Sequence, residues 1–96
     1  MNIEQLELTE KRVKIFKALA DETRLAILKA LYHSSNELSC AEVGYTCDTS
    51  KSNASYHFKT LREAGLIKVR KEGQTRYMRI NKETFDQILP GFLDTL

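Results

Sequence analysis

The hydrophobic period of the chain changes at Gly65. Before it, Ala54, Phe58 and Leu61 fall at i, i+4 and i+7, the spacing of one helical face. After it, Ile67 and Val69 alternate with Lys68 and Arg70, and Met78 and Ile80 alternate with Tyr77 and Arg79, the period-two pattern of a half-buried strand. Glu72-Gly73-Gln74 separates the two runs, so residues 66–80 are expected to form a β-hairpin with a polar, basic tip. Gly65 suits the residue that ends the preceding helix. With 96 residues and one proline, the chain has room for a single mainly helical domain and no second core.

Upstream, Leu6, Val13, Phe16 and Leu19/Ala20 are read as one helical face ending near Ala20. Asp21 then takes the position of an N-cap for a second helix, marked by Leu25, Leu28 and Leu31 and closing near Tyr32 and His33. Ser39-Cys40-Ala41-Glu42 has the S-x-x-E form of a capping box and predicts a short third helix from about Cys40 to Cys47. Ser50 can cap the fourth. Two helices joined by so tight a turn form a helix-turn-helix over residues 39–65. Phe85, Ile88, Leu89, Phe92, Leu93 and Leu96 mark a last amphipathic helix interrupted at Pro90-Gly91. The expected fold is therefore mainly α with a β-hairpin: five helices plus a two-stranded wing, in one domain spanning residues 1–96.

The formal net charge of +2 conceals a strong segregation. Residues 50–82 hold nine Lys/Arg against two Asp/Glu, whereas residues 1–49 hold six against eight and residues 83–96 none against three. On the fourth helix, Ser52, Ser55, Tyr56 and Lys59 lie opposite the apolar face, and Lys51 stands at its N-terminus. Such a small polar face with a cation fits a DNA major groove, where hydroxyls reach base edges and lysines suit phosphate or guanine. Lys68, Arg70, Lys71, Arg76 and Arg79 flank the hairpin turn, as phosphate neutralisation or minor-groove insertion requires. His57 lies at the boundary of the apolar face and is expected to donate one hydrogen bond.

No run approaches the roughly 18 apolar residues of a membrane span, and Met1-Asn2-Ile3-Glu4 lacks the features of a signal peptide, so the expected location is cytosolic. No nucleophile elbow, phosphate loop, HExxH or CxxC motif points to an enzyme. The alternative class is a winged-helix protein-interaction module. It would present apolar or aromatic anchors where Ser52, Ser55, Lys59 and the hairpin cations stand.

Residues 15–28, Ile15-Phe16-Lys17-Ala18-Leu19-Ala20-Asp21-Glu22-Thr23-Arg24-Leu25-Ala26-Ile27-Leu28, resemble the opening of the ArsR/SmtB family of winged helix-turn-helix repressors. Residues 50–66, from Ser50-Lys51-Ser52-Asn53-Ala54-Ser55-Tyr56-His57 to Gly65-Leu66, are similar to the family's recognition helix, and Gly73-Gln74-Thr75-Arg76-Tyr77 to its wing, which adds Gln74 to the expected DNA contacts. The resemblance implies a homodimer that binds an imperfect inverted repeat in double-stranded DNA and blocks RNA polymerase until an inducer acts. It places the dimer interface on residues 1–20 and 81–96. The apolar candidates there are Leu6, Val13, Phe85, Ile88, Leu89, Phe92 and Leu93.

The family's thiolate metal motif is E-L-C-V-C-D-L, and this chain reads Glu37-Leu38-Ser39-Cys40-Ala41-Glu42-Val43, with Ser39 and Ala41 at the two cysteine positions. Residues 81–96 hold no His or Cys for the family's other site, so neither metal site carries over and no cofactor is expected. Cys40 and Cys47, seven residues apart, are about 10.5 Å apart on an intact helix, too far for a disulfide. They read as small core residues. The alternative is a redox sensor in which oxidation of one thiol, or a Cys40–Cys47 disulfide that melts the third helix, releases DNA, with Cys40, at a helix N-terminus that lowers thiol pKa, the better candidate. The inducer's identity is not legible.

Overall fold

A computed structural model describes residues 2–34, 37–47 and 49–96, apart from the side chain of Lys51. Helix α1 spans Ile3–Leu19 and opens with a capping box in which Asn2 and Gln5 bond each other's backbone N–H groups at 2.8 and 3.1 Å. Helix α2, Glu22–His33, begins where Asp21 accepts the backbone N–H of Arg24 at 3.0 Å. Ser39 and Glu42 form the expected box at the start of α3, Cys40–Thr46, with bonds of 3.0 and 3.1 Å. Ser50 caps α4, Lys51–Glu63, through the backbone N–H of Asn53.

After Gly65, at φ 77°, the chain enters strands that we number β2, Ile67–Glu72, and β3, Thr75–Ile80. They pair antiparallel from Ile67 opposite Ile80 to Glu72 opposite Thr75, leaving a two-residue loop, Gly73-Gln74. Gly73 supplies the positive φ of 61° that so tight a turn needs.

The expected wing has two strands, but the sheet has three. Strand β1, Leu38–Ser39, pairs with the other edge of β3, Leu38 opposite Met78 and Ser39 opposite Tyr77, giving the order β1-β3-β2. The reason is local: an N-cap residue must be extended, and Ser39 at φ −70° and ψ 156° is already shaped to join a ladder. One residue thus ends a strand and starts a helix.

The core draws one or two fully buried side chains from almost every element: Ile15, Ile27, Leu28, Val43, Leu61, Met78 and Phe85, with Leu66 from the turn before β2. Two sequence expectations change here. Leu19 joins Ile15 and Ala18 on the buried face of α1, while Leu6, Val13 and Phe16 point away from the domain.

The second change concerns the C-terminal segment. Helix α5 spans only Lys82–Ile88, because the residue before a proline is pushed out of helical geometry and Leu89 adopts φ −136°. After Pro90 and Gly91 the chain folds back into a 3₁₀ turn, Leu93–Thr95. The Phe92 ring stacks parallel to Phe85 at 5.9 Å, Tyr32 donates to Asp94, and the Leu96 carbonyl accepts from His33 Nε2 at 2.9 Å. Phe85 and Leu93, expected at a dimer interface, are instead buried in their own domain, with Ile88, Leu89 and Phe92 packed partly against that core.

Candidate nucleic-acid interface

Helix α4 is anchored through Ala54, Leu61 and Ala64, which are buried, so its opposite face stands clear of the domain. Ser52, Ser55, Tyr56 and Lys59 are exposed there, Tyr56 to 63%. Lys59 lies 4.0 Å from Glu63 one turn on, a surface pair too weak to immobilise it. The side chain of Lys51 lies outside the described residues.

The helix is also held by a polar tie that composition and spacing do not reveal. Arg24 Nε donates to the Ala18 carbonyl at 2.6 Å and Nη2 to that of Lys17 at 3.2 Å, while Nη1 meets His57 Nδ1 at 3.1 Å. Arginine offers only donors, so His57 accepts through Nδ1 in this contact. Asp21 Oδ2 lies 3.7 Å from the same Nδ1. Accepting the Arg24 backbone N–H holds the Asp21 carboxyl below its usual range, and the Arg24 charge adds to this against the opposing effect of burial.

Between α3, α4 and the wing lies an open cleft of about 1430 Å³ with no Asp or Glu among the described residues that line it. Lys59, Arg62 and Arg76 contribute its cations, and Ser55 and Gln74 its neutral donors. A phosphate-bearing ligand meets these three cations there. Tyr45, 90% exposed on α3, also lines the cleft and is absent from the residues singled out in the sequence. Its signal was available: it lies two residues past buried Val43, about 200° around the helix.

The register of β2 and β3 divides the hairpin cations between two faces. Lys71 opposite Arg76 shares a face with the pair Val69 and Met78, the side that closes the cleft. Lys68 opposite Arg79, and Arg70 opposite Tyr77, lie on the outer face. Arg70 is further committed: Nε bonds Glu37 at 2.7 Å, Nη1 bonds Glu72 at 2.8 Å, and the guanidinium lies 4.7 Å from the centre of the Tyr77 ring. The bonds to Glu72 and Glu37 raise its pKa further. Arg70, one of the expected contacts, is therefore already engaged by two carboxylates, with which a phosphate must compete.

Both cysteines are free thiols, half-buried beside the core. Cys40 does stand at the N-terminus of α3, yet burial pushes its thiol above the ordinary range, outweighing the Arg76 charge that pulls it down. Burial raises Cys47 as well. The shift at Cys40 is thus upward, opposite to the expected lowering. Among the described residues there is no group of three His, Cys, Asp or Glu side chains placed to hold a metal ion, and no helix is long and apolar enough to cross a membrane.

A helix-turn-helix carrying an exposed polar helix, followed by a basic hairpin that closes a cation-lined cleft, defines a winged helix-turn-helix DNA-binding protein. A family model described as a helix-turn-helix domain matches residues 19–70. The chain is 59% identical over 85 residues to the uncharacterised HTH-type transcriptional regulator YceK of Bacillus subtilis, covering 88% of this chain and 85% of that one. It is 36% identical over 83 residues to the arsenic resistance transcriptional regulator ArsR1 of Pseudomonas putida, covering 83% and 64%. The solution structure of a homodimeric winged helix-turn-helix DNA-binding domain from Mycobacterium bovis superposes with a TM-score of 0.83 at 25% identity, covering 99% of this chain and 85% of that one. The chain belongs to the ArsR/SmtB family of winged helix-turn-helix transcriptional regulators. It is a DNA-binding regulator of transcription and not an enzyme.

Proposed function

We propose that this regulator acts as a homodimeric repressor, reading an imperfect inverted repeat until an inducer releases it. The observation that carries the reading is the shared orientation of two surfaces: the exposed face of α4 and the cleft face of the wing border one concavity lined by the cations Lys59, Arg62 and Arg76. Ser52, Ser55, Tyr56 and Lys59 address base edges in the major groove, and Lys71, Gln74 and Arg76 address the flanking backbone or minor groove.

The dimer rests on α1. Leu6 is 48% exposed, Val13 45% and Phe16 51%, and at about 100° per residue the three fall within about 80° of one another on the side away from the core. An apolar stripe turned out of so small a domain marks an interface. Two-fold pairing through α1 sets two copies of α4 against successive turns of DNA, and the Arg24 tie fixes α4 relative to α1 within each copy. The cations Lys59, Arg62 and Arg76 favour DNA over the interaction-module alternative, while Tyr45, Phe58 and Val69 add apolar surface to the same cleft.

The test is a promoter carrying the selected binding site in front of a reporter, with wild-type protein and the Leu6→Glu variant. Repression by wild type and its loss in the variant, with DNA occupied by two protomers in the former, support the reading. Unchanged repression by a monomeric Leu6→Glu protein, or activation by wild type, overturns it.

A further inference from the structure

Glu37 stands immediately before β1, outside the wing, yet its carboxylate reaches two wing arginines. Oε1 accepts from Arg70 Nε at 2.7 Å, and Oε2 lies 3.7 Å from Arg79 Nη1. The second separation is too long for a hydrogen bond, so charge alone holds Arg79 there. The Glu37 side chain is 24% exposed against 68% for Glu72, the other carboxylate on Arg70, so its charge is the less screened of the two. Glu37 Oε2 is shielded from solvent and has no hydrogen-bond partner among the described residues.

Fixing the sheet does not require this arrangement. The β1–β3 ladder and buried Met78 already join that edge to the core. A half-buried carboxylate with an unbonded oxygen is a poor way to gain stability. What it does accomplish is electrostatic: it offsets the charge of Arg70 and Arg79 on the outer face of the wing, though not that of Lys68, and leaves the cleft face untouched.

The geometry points to Glu37 as a specificity-determining residue that holds Arg70 and Arg79 back from the DNA backbone, leaving Lys68 as the outer-face cation that Glu37 does not engage. This rests on the DNA-reading surface proposed above. Non-specific binding is almost wholly phosphate attraction, and a protein on random sequence can roll toward whichever cations are free. On its own site, the register of α4 fixes the wing with its outer face turned away. Freed outer-face arginines therefore strengthen non-specific binding more than specific binding, and the ratio between them falls.

The experiment measures binding to a fluorescent random-sequence duplex between 50 and 200 mM NaCl. Glu37→Gln is expected to steepen the slope of log affinity against log salt by about one to two, roughly 0.9 for each arginine that gains a phosphate. Arg79→Gln is expected to leave the wild-type slope unchanged and to remove about one from the Glu37→Gln slope. Arg76→Ala should flatten the slope by about one in both backgrounds. Parallel salt dependence for Glu37→Gln and wild type overturns the inference, as does an equal Arg79→Gln loss in both backgrounds. If Arg76→Ala flattens the slope in either outcome, the reading surface stands independently; if it changes nothing, that surface is wrong as well. Should Glu37→Gln fail to fold, Arg79→Gln alone decides, since a flatter slope in the presence of Glu37 contradicts the restraint.

Discussion

Arg24 Nη1 meets His57 Nδ1 at 3.1 Å, joining the first turn of α2 to the middle of α4. The same guanidinium binds two carbonyls at the end of α1, so one side chain relates α1 to α4. Arg24→Ala leaves those partners short of a donor and should lower stability by about 1–3 kcal/mol in urea unfolding. Arg24→Lys should recover little of this, because an ammonium cannot present the planar fork that serves three acceptors. Full recovery in the lysine variant would show that charge, not geometry, is what the site uses.

Asp21 makes the stability of this junction depend on pH. Its folded-state pKa is lowered, so its contribution is complete above the unfolded value of about 3.9 and is lost as pH falls through the folded value. Asp21→Asn keeps a capping side chain but cannot titrate. Urea unfolding from pH 7 down to pH 2 should show wild type losing stability relative to Asp21→Asn only in the acid limb. A constant difference across that range contradicts the assignment.

The two ends of the expected dimer surface should respond differently to mutation. Leu6→Glu or Val13→Glu changes a residue exposed in the protomer, so sedimentation should show loss of the dimer, and protomer stability should move by no more than about 0.5 kcal/mol. Phe85→Ala opens the core and should cost about 3–5 kcal/mol whatever the oligomeric state. A dimer that survives both charged substitutions would place the interface elsewhere.

Local chemistry was legible in the sequence, and long-range pairing was not. Asp21, Ser39 with Glu42, and Ser50 act within three residues of themselves, and the change of period at Gly65 is a neighbour-to-neighbour signal. The α1 stripe was harder, because Leu19 and Phe16 are both apolar and only packing against the core decides which turns inward. Strand β1, the Arg70–Glu37 pair and the Arg24–His57 contact each join residues more than thirty positions apart, the last two at a separation of 33. Hence the hairpin was recognised as basic while the division of its cations between two faces was not. The fold-back after Pro90 had a local cause at Leu89, but its consequence, Phe92 stacked on Phe85, depended on the core already being in place.

Base reading and phosphate attraction should separate by residue. Lys59→Ala or Ser55→Ala should relax discrimination at one or two positions of the half-site, by about 1–3 kcal/mol for each lost base contact. Quantitative binding to a panel of single-base variants measures this. Equal losses on every sequence would make these residues backbone contacts instead.

The most direct test of the DNA-reading account is selection of binders from a random duplex pool by the purified protein, in reducing buffer containing a chelator. The account predicts enrichment of an inverted repeat whose half-sites are about one helical turn apart, the spacing that two copies of α4 in a two-fold dimer can span. Recovery of a single unrepeated site, or no enrichment at low salt, would contradict it.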